Sequence, residues 1–471
     1  MKYNNVFTVS CYQYIQRLQL PRMLPYFLGS INIVIIGFVA VAIEILDTNA
    51  AGNWTGYLSD RNSLEYAMIY YIIIVISIII HTLFLAVSAR MAFRVKKAIS
   101  HLSIIIRYVY VLSHIAVIIS IIYLLLEQIM TLSYHIVLLE LIIGLSLIPS
   151  VLILLSLGFT GLKSLSSTKS RIVVIYSIAI ITIAVKLFIA VVHIEVTLDI
   201  KPEIITADRN PWTVHFFTSY QVILFWIYAI TDTISFIAVL IASILLTKRY
   251  VSNIGKIKYI IIVSIPAIYF LLQYSPLLLV QTGTLSSLLM EEGSLFLYFY
   301  NFILNTGNVG TGILFGISFF MLSKSLGHEQ LRYYLIISGT GIMIIFSSGI
   351  STNSTLAPFP AWSIISLSFI LPASFILLIG LDSATYYIAT DILLRKFIHK
   401  HQDKFELFRA LGFKKTSDIA EQKIHEILQK KLNLEVETMF KPLSESEDIK
   451  QYINQVIKET KQSDTELDGI K

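Results

Sequence analysis

Charged side chains inside apolar segments are the residues of this chain that could do chemistry. Lys186 lies near the middle of one apolar segment, Asp232 near the middle of the next, and Glu140 toward one end of an earlier one. A charge in hydrocarbon is costly, so such residues pair with one another or line a polar pathway. We expect an ion pair between Lys186 and Asp232. It either locks two helices together or forms a proton relay, an ion relay or a substrate anchor, with Glu140 as a third candidate member.

A second polar group consists of amides on one predicted helix. Asn301, Asn305 and Asn308 have spacings of four and three residues, which place them on one helix face. Glycines lie alongside them, including a Gly-x-x-x-Gly pair at Gly312 and Gly316. Small residues allow close helix packing, and amides bond between helices. The pattern therefore predicts either close packing or a polar cavity with a locally unwound binding segment.

Histidines in the apolar part of the chain raise the alternative of a metal or haem site. His81 and His114 fall in the inner halves of two successive apolar segments, whereas His135, His193 and His215 fall near the opposite face. No two of them share one helix with the spacing of a ligand pair. We therefore predict no metal and no cofactor. The sequence also lacks a P-loop, a GxSxG motif and an HExxH motif, so we predict no catalytic residue and no enzyme activity.

The composition of this chain is typical of a protein embedded in lipid. Of its 471 residues, 56% are hydrophobic and only 14% are charged, and the mean hydropathy is +0.75. Several apolar runs reach about twenty residues, the length of a membrane-spanning helix. Inside a bilayer the backbone must satisfy its own hydrogen bonds, which long apolar runs do as helices. We predict an all-α, polytopic helical bundle with about ten transmembrane helices and a small helical cytoplasmic tail.

Domain boundaries follow from these runs: a cytoplasmic N-terminal segment (1–24), a ten-helix transmembrane domain (25–388) and a helical cytoplasmic tail (389–471). The predicted spans are 25–45, 66–89, 108–126, 136–161, 172–196, 217–247, 258–281, 295–322, 332–350 and 361–388.

Basic residues concentrate on alternate connections between these spans, and the opposite side has only Arg61, Lys201 and Arg209. Because basic loops stay in the cytoplasm, both termini are predicted to be cytoplasmic in a multi-pass plasma-membrane protein. The net charge of +6 thus reports topology, and we expect no nucleic-acid partner. Asn53 and Asn353 begin N-x-S/T sequons on predicted outer connections, which makes them candidate glycosylation sites.

The last predicted span links an outer loop, the membrane and the tail on one piece of chain. Helical patterning runs past Asp382 into a charged arm with no obvious break. Two amphipathic helices follow in the tail, each starting with a capping pattern. At about 80 residues the tail holds only a small core. We expect it to pack on itself, on the cytoplasmic loops, or on a partner, either a cytoplasmic protein or a second copy.

This region carries a family resemblance. Pro358-Phe359-Pro360 enters the last span, and Asp391-Ile392-Leu393-Leu394-Arg395 and Asp448-Ile449-Lys450-Gln451-Tyr452 follow in the tail. Over about the last 120 residues the chain resembles uncharacterised polytopic membrane proteins of ammonia-oxidising archaea, to which no activity is assigned. The resemblance implies an archaeal membrane and a tail that belongs to the fold. It implies no catalytic residue.

Three functions remain open from the sequence, and one of them is a pure scaffold. The continuous link between the last span and the tail favours a membrane sensor or signal-transmitting protein, or a complex subunit acting through its tail. The intramembrane polar residues favour a secondary transporter or channel instead. We take the sensor or signal-transmitting protein as the primary hypothesis.

Overall fold

The computed structural model describes residues 63–94, 101–163, 170–198, 204–206, 219–248, 329–348 and 363–400, with shorter stretches between 255 and 271, 312 and 323, and 412 and 428. Its elements in chain order are α1 (Ser63–Arg94), α2 (His101–Thr131), β1 (Ser133–His135), α3 (Ile136–Lys163), α4 (Arg171–Leu198), β2 (Ile204–Thr206), α5 (Ser219–Lys248), α6 (Glu329–Ser347), α7 (Ser363–Thr390) and α8 (Ile392–Lys400).

The described chain is almost entirely helical, as predicted. Within the described residues, five helices are long and apolar enough to cross a membrane: α2, α3, α4, α5 and α7. They correspond to the third, fourth, fifth, sixth and tenth predicted spans. The second and ninth predicted spans coincide with α1 and α6. The first predicted span and most of the seventh and eighth lie outside the described residues.

Apolar side chains on the outside of the bundle show that lipid is the expected solvent. Leu112, Ile119 and Leu126 of α2 follow at seven-residue intervals and are 73%, 61% and 54% exposed. Residues on the opposite face of α2, including Val117 and Leu124, are fully buried. A water-soluble helix would place polar residues on the exposed face, so this arrangement fits a helix with one side toward lipid.

Helix α7 lies at the centre of the described bundle. Of the residues in the apolar part of its span, 89% are buried, compared with 33–56% in the other four spanning helices. It packs against α1, α2, α3 and α6, and its end contacts α8. Pro372 interrupts it internally, and because proline has no N–H, the carbonyl of Ser368 loses its intrahelical donor.

Glycines bring α6 close to its neighbours on both sides. An added Cβ at Gly316 would lie 2.8 Å from the Gly339 carbonyl oxygen, and one at Gly339 would lie 2.9 Å from the Gly316 oxygen. A similar close approach joins Gly341 of α6 to the α7 backbone at Ala373. The close-packing interpretation of the Gly312/Gly316 pair is therefore confirmed, and only glycine allows these backbone distances.

A two-stranded antiparallel sheet, absent from our sequence predictions, joins two helix connections. β1 follows α2 through Leu132, which has a positive φ of 50°, and pairs with β2 in the register Tyr134 opposite Ile205. The α2–α3 and α4–α5 connections therefore lie on the same side of the bundle. The charge pattern assigns both to the same side as well. Tyr134 is buried between them, and burial raises the pKa of its phenol above the ordinary value.

The last span runs past Asp382 into a helical arm as predicted, but the helix is interrupted at one residue, Asp391. α7 ends at Thr390 and α8 begins at Ile392. Asp391 between them accepts a hydrogen bond from the Leu394 N–H at 3.0 Å, which is the contact of an N-cap residue. Backbone bonds from Asp391 to Tyr387 and from Arg395 to Asp391 still bridge the junction.

The chain divides into two compact units, Met1–Thr416 and Ser417–Lys471. Residues 389–416, which we assigned to the tail from the sequence, belong to the first unit. Gly412 is buried there against Ile388 of α7.

Candidate functional site

A chain of buried polar side chains runs between α1, α2 and α7. The helix period determines which residues take part. Tyr110 and His114 are four residues apart on α2, and His81 and Ser88 are seven apart on α1, so each pair shares a helix face. Ser368 of α7 completes the set. All five residues are fully buried, with 0% exposure.

Hydrogen bonds connect these five groups in sequence. His81 Nε2 lies 2.8 Å from Ser368 Oγ, and His81 Nδ1 lies 3.1 Å from His114 Nε2. His114 Nδ1 lies 2.7 Å from the Tyr110 hydroxyl. That hydroxyl lies 3.0 Å from Ser88 Oγ. We call these five residues the buried polar chain.

Backbone carbonyls terminate the buried polar chain at both ends. Ser88 Oγ donates to the Phe84 carbonyl oxygen at 2.6 Å, and Ser368 Oγ donates to that of Ile365 at 2.7 Å. Each terminal hydroxyl therefore has a second acceptor within its own helix. Burying a polar group is tolerated only when its hydrogen bonds are made. All five residues of the buried polar chain meet this condition.

Aromatic rings of α7 cover the buried polar chain. Phe369 stacks on His81 with a centroid distance of 4.4 Å and an interplanar angle of 5°. Phe375 stacks on Tyr110 at 3.7 Å and 9°. Stacked rings fix the planes of His81 and Tyr110 and exclude water from their faces. The five linked groups can therefore hold and pass protons.

Metal binding is a weaker interpretation of the two imidazoles. Structural and catalytic zinc sites use three or four protein ligands. Within the described ranges, no group of three or more His, Cys, Asp and Glu side chains could hold a metal ion. His135 instead contacts the Glu127 carboxylate, and His193 is buried with its ring stacked on Tyr228 of α5.

Sequence reasoning placed His81 and His114 in their spans but did not predict that they meet. A detectable signal existed, since Tyr110 and His114 have helical i, i+4 spacing and a second histidine lies mid-span on the preceding helix. The partner on α7 could not be predicted from the sequence, because Ser368 is 287 residues away from His81 along the chain.

The predicted ion pair between Lys186 and Asp232 is present in the structure. Lys186 Nζ of α4 lies 2.5 Å from Asp232 Oδ1 of α5, and the two side chains are only 16% and 14% exposed. Glu140 is partly exposed on α3. The other predicted site residues, Asn301, Asn305, Asn308 and the sequon residues Asn53 and Asn353, lie outside the described residues.

Replacing Lys186 alone should destabilise the bundle. Lys186→Met leaves the Asp232 carboxylate without its partner, a change that costs about 3 kcal/mol at buried pairs. The double variant Lys186→Met/Asp232→Leu should recover most of this loss because no uncompensated charge remains. Thermal unfolding of the detergent-solubilised protein measures both effects. A double variant no more stable than Lys186→Met would contradict a direct pairing.

A second charged group lies at the far end of α7. Lys415 Nζ donates to Asp382 Oδ1 at 3.1 Å, with both side chains partly exposed. Arg107 of α2 lies close enough to Asp382 for their opposite charges to interact. Asp382 follows Phe375 by seven residues and Ser368 by fourteen, so one face of α7 carries all three. We call this the polar face of α7.

No protein-family model, no curated protein and no solved structure matches the chain.

Proposed function

We propose that this chain is a membrane sensor or signal-transmitting protein in which α7 conveys the state of the membrane bundle to the C-terminal tail. The observation that carries the proposal is the polar face of α7. Along this one face, Ser368 bonds His81, Phe375 stacks on Tyr110, and Asp382 bonds Lys415. Over these fourteen residues the face extends about 21 Å, which is most of the hydrocarbon thickness.

The burial of α7 supports this role. A helix covered on nearly every side cannot shift without repacking its neighbours, because protein interiors are close-packed. Changes in α1 or α2 therefore reach α7 directly through contacts already made. A peripheral helix such as α5, whose span is only 33% buried, has fewer such contacts.

The end of α7 supplies the connection toward the tail. The Asp391 carboxylate lies beside Tyr387 of α7, and it also caps α8. Lys415 binds Asp382 of the same helix, about two turns before the helix ends. A movement of α7 would therefore displace the start of α8 and residue 415 together.

We further propose that the protein resides in the plasma membrane of an archaeal cell with both termini in the cytoplasm. The alternation of basic connections supports this orientation, and the shared side of the two strand-bearing connections is compatible with it. In this orientation residues 417–471 are available to a cytoplasmic protein or to a second copy of the chain.

A secondary transporter or channel is the second candidate, and the Lys186–Asp232 pair favours it. Ionisable pairs within spans occur along ion and proton pathways. The same contact also serves as a lock between α4 and α5. Truncation before Ser417 discriminates between the two functions, because a transporter should retain flux in vesicles whereas a sensor should lose its output.

Removing the charge of Asp382 tests the proposed function. Asp382→Asn weakens the contacts with Lys415 and Arg107, so amide hydrogen exchange should become several-fold faster in residues 392–400 and 417–471. Exchange measured by mass spectrometry in lipid nanodiscs reports this change. The matched control is Ser383→Ala, a buried neighbour on α7, which should leave exchange in the tail unchanged. Identical tail exchange in Asp382→Asn and the wild type would refute the proposal.

A further inference from the structure

We propose that the buried polar chain is a proton-transfer chain, in which a proton taken up at one end is released at the other. The proposal goes beyond signal transmission, because it assigns an activity to Ser88, Tyr110, His114, His81 and Ser368 themselves. It rests on their connected geometry: four consecutive contacts of 2.7–3.1 Å, all inside the bundle.

The buried polar chain has two states that differ in which imidazole nitrogens carry hydrogen and in the direction of every hydrogen bond. A neutral imidazole has one N–H and one bare nitrogen. In the first state both histidines are protonated on Nε2: His81 donates to Ser368, His114 donates to His81, and Tyr110 donates to His114. In the second state both are protonated on Nδ1, and every donation reverses: Ser368 donates to His81, His81 to His114, and His114 to Tyr110.

The terminal hydroxyls make both states fully satisfied. When a terminal serine does not donate within the buried polar chain, its O–H donates to a backbone carbonyl instead. Ser88 then donates to Phe84 and Ser368 to Ile365. A rotatable hydroxyl at each end therefore accommodates either direction. A structural hydrogen-bond network needs only one satisfied arrangement, whereas a proton-transfer chain needs two.

The histidine pair also accepts one additional proton, but not two. One extra proton gives three hydrogens on four nitrogens, with the shared hydrogen between His81 Nδ1 and His114 Nε2 and the outer two N–H groups directed at Ser368 and Tyr110. A second would point two N–H groups at each other across 3.1 Å. Phe369, stacked on His81, offers its π-face to the transient cation.

Neighbouring groups leave the pair neutral at rest. In the part of the chain that the structure describes, the side chains that bond or stack on the two imidazoles are Ser368, Phe369 and Tyr110. Of these only the Tyr110 phenol titrates. The charged groups Arg107 and Asp382 lie farther along α2 and α7. Burial disfavours a lasting charge, so transfer proceeds through the neutral tautomers.

One transfer balances bond by bond. A hydronium ion gives a proton to Ser88 and becomes water, and Ser88 passes its own proton to the Tyr110 oxygen. Tyr110 passes its proton to His114 Nδ1, His114 passes that on Nε2 to His81 Nδ1, and His81 passes that on Nε2 to Ser368. Ser368 releases its proton to a water molecule, which becomes hydronium. One O–H or N–H bond breaks for each one that forms, nothing is oxidised or reduced, and the rings end in the second state.

The transfer covers part of the membrane. His81 and Ser88 are seven residues apart on α1, or about 10 Å, against a hydrocarbon core of about 30 Å. At the Ser368 end, the Ser368 carbonyl lacks its helical donor because of Pro372. This oxygen provides a further acceptor for water at that end.

Solid-state NMR of the full chain in liposomes, with ¹⁵N-labelled histidine, tests the proposal. The signals of the two rings are assigned with the single variants His81→Gln and His114→Gln. In the wild type both rings should be neutral and should share the same tautomer ratio, because each state protonates the same nitrogen on both. Independent ratios, or rings that stay charged at neutral pH, would overturn the proposal.

Substitutions at the two ends of the buried polar chain should shift the tautomer ratios of both rings together. The direction of the shift should differ between the two substitutions. A buried bare acceptor is tolerated better than a buried bare donor. Tyr110→Phe should therefore leave His114 Nδ1 bare and drive both rings toward Nε2–H. Ser368→Ala should leave His81 Nε2 bare and drive both toward Nδ1–H. Ser88→Ala is a second variant for the Tyr110 end and should act as Tyr110→Phe does.

The control is Ser374→Ala, which removes a buried hydroxyl of α7 outside the chain and should leave both ratios unchanged. The decisive comparison is the ring that each substitution does not touch. A shift of His81 in Tyr110→Phe, and of His114 in Ser368→Ala, supports coupled transfer. A shift confined to the adjacent ring shows a static network and overturns the proposal.

Discussion

Replacing Gly341 with leucine is expected to remove most of the folded protein. A Cβ at this position of α6 would lie 2.8 Å from the Ala373 carbonyl oxygen and 2.9 Å from the Leu377 amide nitrogen. Both atoms belong to the backbone of α7, which cannot rotate aside as a side chain can. Overpacking typically costs about 1–3 kcal/mol, and we expect at least the upper value here because the central helix must move.

Gly144→Leu on α3 is the matched control for this prediction. The nearest atom to an added Cβ there is Ile148 Cδ1 at 4.0 Å, an ordinary contact with a flexible side chain. Thermal unfolding and the monodisperse fraction after detergent extraction measure both variants. Gly144→Leu should behave as the wild type. Equal losses of stability in the two variants would contradict the prediction. They would show that the packing of α6 against α7 does not depend on glycine at position 341.

A flexible insertion between Thr390 and Asp391 is expected to disconnect α8 from α7. It breaks the backbone bond from the Asp391 N–H to the Tyr387 carbonyl oxygen, which crosses the insertion point. Amides of residues 392–400 should then exchange at least about tenfold faster, because a nine-residue helix is marginal on its own. Exchange in α3 should not change, and this region serves as the internal control.

The site of the insertion decides how this result is interpreted. The same flexible insertion placed after Thr416, at the boundary between the two compact units, leaves the α7–α8 junction intact. Exchange in residues 392–400 should then stay at the wild-type value. Faster exchange there in both insertion variants would indicate general destabilisation rather than loss of the junction.

The features that sequence analysis predicted correctly are those set by local pattern and by solvent. The apolar runs that the structure describes are helices, and the exposed apolar face of α2 follows from having lipid outside. The Lys186–Asp232 pair was predictable because each residue lies mid-span on consecutive antiparallel helices, so their depths had to match. The close approach at Gly316 followed from the Gly-x-x-x-Gly spacing.

The features that sequence analysis missed depend on long-range packing or on a single residue. That Ser368 lies beside His81 depends on α7 occupying the centre of the bundle, which periodicity alone does not give. β1 and β2 have three residues each, too few for a recognisable strand pattern. The break at Asp391 depends on one capping contact, in a stretch whose apolar pattern continues on both sides.

The response of the tail to Tyr110→Phe tests the central claim most directly. This substitution removes one hydroxyl from the buried polar chain and keeps the ring that stacks on Phe375. If α7 conveys the state of the bundle, hydrogen exchange in residues 417–471 should change in the uninterrupted chain and should not change when the insertion after Thr390 is present. Unaltered tail exchange in the uninterrupted Tyr110→Phe protein, with its histidine tautomers shifted, would contradict the account.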